Sequence, residues 1–126
     1  MDEHPNAKLY KELDQKMSSG DVGAMADYLD DNVEWHEIGR AEPLRGKDAV
    51  VARWTSGELA DYEWTGNTHD VVANDDHLIA LVETTARRGD KSLTYRTAEI
   101  MHIRDGKLTA RWAFSDDTEA INRFFS

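Results

Sequence analysis

Ionisable side chains interrupt several apolar, strand-like segments of this chain, and they are the residues whose types and spacing permit chemistry. NVEWHEI, residues 32–38, sets Glu34, His36 and Glu37 among Val33, Trp35 and Ile38, while Glu83 follows LIALV, Glu99 stands in TAEIMHI and Arg111 in TARWAF. In an extended strand alternate side chains share a face, so each segment offers two sets. Val33, Trp35 and Glu37 hold the larger apolar surface of the first segment and are expected to face inward. By the same parity, Ile79, Leu81, Glu83 and Thr85 are expected inward from one long strand, Tyr95, Thr97, Glu99 and Met101 from the next, and Arg111, Ala113 and Ser115 from the last. A slip of one residue inverts any of these sets.

Glu37, Glu83 and Glu99 sharing a poorly hydrated chamber with Arg111 would not all stay ionised, because burial and mutual repulsion favour protonation while one guanidinium stabilises only some of the charge. A neutral carboxylic acid beside an ionised one can move a proton at a carbon next to a carbonyl: one group takes the proton, the other hydrogen-bonds the developing enolate oxygen. Glu37 is the expected base and Glu99 the expected donor. Glu83 and Arg111 are expected to position substrate against walls made by Trp35, Trp54, Leu81, Tyr95 and Met101. His36 is a second acid–base candidate, since a bulge near Gly39 would exchange its direction with that of Glu37. The competing structural reading makes Glu83, Glu99, Arg96 and Arg111 a cross-strand ladder of ordinary ion pairs.

The elements that must hold these residues follow from periodicity. Pro5 suits the first turn of a helix whose face carries Leu9, Leu13 and Met17 and which ends at Ser18-Ser19-Gly20. Asp21 caps a second short helix with Val22, Met25, Ala26 and Leu29 on one side. After the opening strand and the loop GRAEPLRG, Lys47–Thr55 reads as a third helix burying Val50, Val51 and Trp54, closed near Ser56-Gly57. Period-two runs at about 62–73, 77–87, 92–104 and 107–115 are separated by the turn signals Asn74-Asp75-Asp76, Arg88-Gly89-Asp90 and Asp105-Gly106. Asp116-Asp117 marks the start of a tail helix carrying Ile121, Phe124 and Phe125.

Helices followed by strands give an α+β class in which a curved antiparallel sheet forms a cone around three N-terminal helices. The mouth of such a cone is the expected site for an apolar small molecule. Its outer face, with Ile100, Trp112 and Phe114, lacks cover within the chain, so a homodimer packed sheet on sheet is expected. A length of 126 residues suits one domain spanning 1–126. With 25 acidic against 15 basic residues and a formal net charge of −10, the chain repels phosphate backbones and anionic lipid, which argues against nucleic-acid and membrane-surface partners. The absence of cysteine removes thiolate chemistry, and without a signal-like N-terminus or an apolar run of about 18 residues the expected location is cytoplasmic. His36, His69, His77 and His102 fit no ligand spacing, and no phosphate-binding glycine loop, nucleophile elbow or dinucleotide fingerprint occurs, so neither metal nor cofactor is expected.

The order of elements resembles the nuclear transport factor 2-like superfamily, a cone-shaped, cystatin-like α+β barrel fold that includes ketosteroid isomerases, SnoaL-like polyketide cyclases and limonene epoxide hydrolases. GDVGAMADYLDDNVEW is similar to that superfamily's second helix and first strand, and EIGRAEPLRGKDAV resembles the ketosteroid isomerase segment that starts at its general base. The resemblance implies Glu37 as base and, in AEIMHIRDGKL, Glu99 as the acid that donates to the substrate oxyanion. The isomerases' oxyanion tyrosine falls on Leu13, with Tyr10 one turn earlier. The epoxide hydrolase arginine and aspartates fall on Thr84, Ala86 and Ala113, which cannot do that chemistry. The implied activity is a cofactor-independent isomerase or cyclase acting on an apolar carbonyl compound; the alternative is a non-catalytic ligand-binding or dimerisation module on the same fold.

Overall fold

The computed structural model describes residues 3–56 and 61–125. Gly57, expected to close the third helix, lies outside them. Helix α1 (Pro5–Ser19) starts with proline in its first turn, where the missing N–H costs nothing, and ends at Gly20, whose left-handed φ of 73° lets its N–H reach the last carbonyls. Asp21 accepts from Ala24 N at 3.0 Å and caps α2 (Val22–Ala26). The second helix is shorter than its sequence pattern predicts, because Leu29 already belongs to β1 (Leu29–Trp35). The two-residue strand β2 (Leu44–Arg45) occupies what reads in sequence as loop, and α3 (Lys47–Trp54) follows.

Four long strands complete the sheet: β3 (Glu63–Ala73), β4 (His77–Arg88), β5 (Lys91–Arg104) and β6 (Lys107–Ser115). Helix α4 (Thr118–Phe124) is capped by Asp117, which accepts from Ala120 N. The sheet has six strands in the order β2-β1-β6-β5-β4-β3. Its hairpins are antiparallel, but β1 runs parallel to β6, so the sheet is mixed where an antiparallel one is expected. The parallel pair arises because the chain between these strands passes through α3 and the whole meander before returning alongside β1. Asp105 and Gly106, with φ of 53° and 74°, form the tight two-residue turn between β5 and β6 and so set that pair's register.

The core sits between the helices and the concave sheet face. Tyr10 and Leu13 of α1 and Val50 of α3 pack there with Leu29, Val33 and Trp35 of β1, Leu78, Ala80 and Val82 of β4, and Met101 of β5. Strand β4 therefore faces opposite to expectation. Leu78, Ala80, Val82 and Ala86 point inward, while Ile79, Leu81 and Glu83 lie on the convex face. LIALV is apolar at every position, so its alternation cannot distinguish the two faces; pairing does, since Leu78, Ala80 and Val82 stand opposite Met101, Glu99 and Thr97. Among the described residues no helix is long and apolar enough to cross a membrane.

Candidate functional site

Beneath the mouth of the cone lies a pocket of about 420 Å³, within the ordinary range for small-molecule sites. Its floor comes from the β1–β6 seam. Trp35 and Arg111 are Cα partners across the parallel pair, and the Arg111 guanidinium carbon lies 4.7 Å from the centre of the Trp35 ring. That contact combines cation–π attraction with cover for a buried arginine stem. Trp54 of α3 meets Trp35 edge-on, with centroids 5.3 Å apart. Trp64 of β3 stacks on Phe125 at 5.4 Å and 10°, and this pair makes the far wall.

Each carboxylate of the site has its own guanidinium. Both oxygens of Glu37 accept from Arg53 Nε at 3.2 Å. A single oxygen of Glu99 accepts from Arg111 at 3.2 Å and 2.9 Å, and a further N–H of Arg111 donates to the backbone oxygen of His36 at 2.8 Å. The Glu99 and Arg111 side chains are 12% and 13% exposed, so the pair is dry enough to hold a fixed geometry. Ala80 and Ala113 are the cross-strand neighbours of Glu99, and their small side chains leave room around its carboxylate. Arg111 bounds the pocket and Glu99 does not, which puts Glu99 behind the guanidinium.

Two tyrosines sense this pair. Tyr95 lines the pocket, and its phenol is pushed up to about 12, by burial first and then by the charge of Glu99, with Arg111 opposing. Tyr10, almost wholly buried on α1, is raised further by burial and then by Glu99 and Asp14, against a hydrogen bond with Thr68. Both therefore stay neutral O–H donors across the working pH range. Tyr10 thus lies within electrostatic reach of Glu99 despite standing one turn before Leu13.

Of the residues singled out in sequence, Glu37, Trp35, Trp54, Tyr95 and Arg111 line the pocket together. Met101 faces inward but is 2% exposed and belongs to the core beneath. Leu81 and Glu83 do not enter the cone; Glu83 lies 3.5 Å from Arg96 on the convex face, the cross-strand pairing of the structural reading. His36 is also on that side. Strand β1 stops at Trp35, and the His36 ring stacks on Trp112 at 5.0 Å while Glu37 turns to α3. The Nε2 of His36 is 3.3 Å from Glu34 Oε1, yet the angle is too poor for a hydrogen bond and leaves that atom without one.

Sequence reasoning missed Arg53, although a signal exists. Val50, Arg53 and Trp54 have i, i+3, i+4 spacing, so a charge on the buried face of α3 demanded a partner there. It also missed the contribution of α4, from which Ile121 and Asn122, with Phe125 just after it, close one side of the pocket.

A family model described as a SnoaL-like domain matches residues 11–111. No curated protein sequence matches significantly. Among solved structures, Bal32a from a soil-derived mobile gene cassette shares 24% identity, with a TM-score of 0.85 and 96% of each chain covered. A nuclear transport factor 2-like protein of unknown function from Burkholderia pseudomallei shares 15%, with a TM-score of 0.83 over 98% of this chain and 99% of that one. IdmH, a putative polyketide cyclase from Streptomyces antibioticus, shares 16%, with a TM-score of 0.75 over 98% and 100%. At these identities the likeness establishes a nuclear transport factor 2-like fold.

The tyrosines generate a stability prediction. A phenol whose folded value exceeds its ordinary 10.0 supports the fold fully below pH 10, and that support is lost as pH rises towards the folded value of about 12. Urea midpoints measured from pH 9 to 11.5 should fall, and Tyr95→Phe should make the fall shallower than in the wild type. Equal slopes would mean that the Tyr95 phenol is solvated.

Proposed function

The chain belongs to the SnoaL-like domain family, and we propose that it binds a small, largely apolar carbonyl compound and moves a proton at the carbon beside the carbonyl. The supporting observation is that Glu37, Tyr95 and Arg111 line one pocket, bringing an acid, a neutral hydroxyl and a guanidinium around the same apolar space. In this reading the Glu37 carboxylate takes the carbon-bound proton and the electron pair passes to the carbonyl oxygen. The Tyr95 hydroxyl and Arg111 N–H donors stabilise the resulting oxyanion. Return of the proton from Glu37 to a different carbon completes an isomerisation, while attack of the enolate carbon on an internal electrophile completes a cyclisation. No cofactor enters either route.

Glu99 has a different part from the one its sequence position implies. Its bonded oxygen accepts from Arg111, so it positions the guanidinium and leaves donation to Tyr95 and Arg111. A second reading, a non-catalytic binding module, draws support from the hold of Arg53 on both Glu37 oxygens, since a base must release a lone pair to work. Hydrogen–deuterium exchange into simple cyclic ketones and enones separates the two. Glu37→Gln should slow enzyme-dependent exchange by at least about tenfold, given that a positioned base contributes on the order of 10²–10⁴ in rate. Tight ketone binding with no exchange, unaffected by Glu37→Gln, would select the binding module. Any alkaline loss of exchange attributable to Tyr95 should be centred at about 12.

The same proposal includes a homodimer formed through the convex face. Val72, Ile79, Leu81 and Phe114 stand 60%, 40%, 38% and 59% exposed there, apolar side chains that a second copy would cover. Sedimentation equilibrium should give twice the chain mass of 14.3 kDa, and Ile79→Lys with Phe114→Glu should halve it. A wild-type protein that sediments as a monomer at all accessible concentrations would remove the dimer from the proposal.

A further inference from the structure

The charge around the pocket is the opposite of the charge on the chain. The protein carries a formal net charge of −10, yet the described pocket lining has three guanidinia, Arg40, Arg53 and Arg111, against the single carboxylate of Glu37. Arg53 is matched by Glu37, and Arg111 by Glu99 behind it. Arg40 is left over. It makes no ion pair within 4.0 Å among the described residues, and its side chain stands exposed at the rim.

Its position is set by the local backbone. Arg40 N donates to the Glu37 carbonyl at 3.3 Å, closing a tight turn through Gly39, whose φ is 79°. Asn122 of α4 lies against Gly39 so closely that a side chain at residue 39 would collide with it. The turn thus sits between the end of β1 and α4. Arg40 and Asn122 therefore line the pocket as neighbours through Gly39, and the indoles of Trp35 and Trp54 line it too. A guanidinium offers paired donors to a carboxylate, and the amide supplies another N–H.

We propose that the ligand of this pocket is an apolar monoanion: a flat hydrocarbon or aromatic body lies against the tryptophans, and a carboxylate at its outer end is held by Arg40 with Asn122. This rests on the reading of the pocket as a small-molecule site and narrows its ligand class. Arg40 is then a specificity-determining residue. Because the rest of the protein repels anions at long range, the selectivity must come from this local contact and must be screened by salt.

The test compares 2-naphthoate with 2-acetylnaphthalene, which have the same body and differ in charge, by quenching of tryptophan fluorescence. Naphthoate should bind about tenfold more tightly at low salt, as expected of a charge-assisted bidentate contact. That preference should shrink several-fold between about 0.02 M and about 0.5 M salt. Arg40→Gln should bring the two affinities within about twofold of each other, and Arg40→Lys should restore part of the difference. The salt response of the wild-type protein is an independent readout that no variant's folding affects. Equal or tighter binding of the ketone, or a preference that survives Arg40→Gln, overturns the anion proposal and leaves the carbonyl reading standing. Failure of both compounds to bind, together with no exchange in cyclic ketones, overturns both.

Discussion

The guanidinium of Arg111 is the point on which the site is built. It grips Glu99 on β5, bonds the backbone oxygen of His36 beyond β1 and covers the indole of Trp35, so one side chain ties three strands together beneath the pocket. A largely buried charge of this kind is tolerated because its partners are fixed: removing either member of such a pair leaves the other poorly compensated. The surrounding residue choices follow from that requirement. Ala80 and Ala113 make space beside the carboxylate, and burial keeps the phenols of Tyr10 and Tyr95 near it neutral.

Above this floor, the walls come from segments far apart in the chain. Helix α3 brings Arg53 and Trp54, β3 brings Trp64, and α4 with its C-cap brings Ile121, Asn122 and Phe125. Two carboxylates, each paired with its own guanidinium, make a site of a different character from three acids sharing one arginine. Proton shuffling between acids gives way to a single carboxylate facing neutral and cationic donors. The proposed enolate chemistry would use this arrangement by letting charge develop where Tyr95 and Arg111 donate.

The inward parity of Val33 and Trp35 was legible in their larger apolar surface, whereas Arg111 faces inward although the large apolar side chains of its segment, Trp112 and Phe114, lie on the other side. The parity of LIALV was not legible, since it is apolar at all five positions and only its pairing with β5 reveals which face is buried. Glu37 reaches the pocket as predicted but by a different route, from the turn after β1 ends at Trp35, and the same break sends His36 to the convex face. The nuclear transport factor 2-like fold, read from the order of elements, is the fold that the structure has. The parallel β1–β6 pair and the contribution of α4 depend on contacts between the chain's two ends, which local periodicity does not record.

A double-mutant cycle on Glu99 and Arg111, read by urea unfolding, addresses the foundation of this account. Glu99→Gln and Arg111→Met should each cost about 3–5 kcal/mol, as breaking a buried pair does, and the double variant should cost clearly less than their sum, with a coupling above about 1 kcal/mol. Costs that add to within about 0.5 kcal/mol would mean that the two side chains act independently and that the floor of the pocket is held by something else.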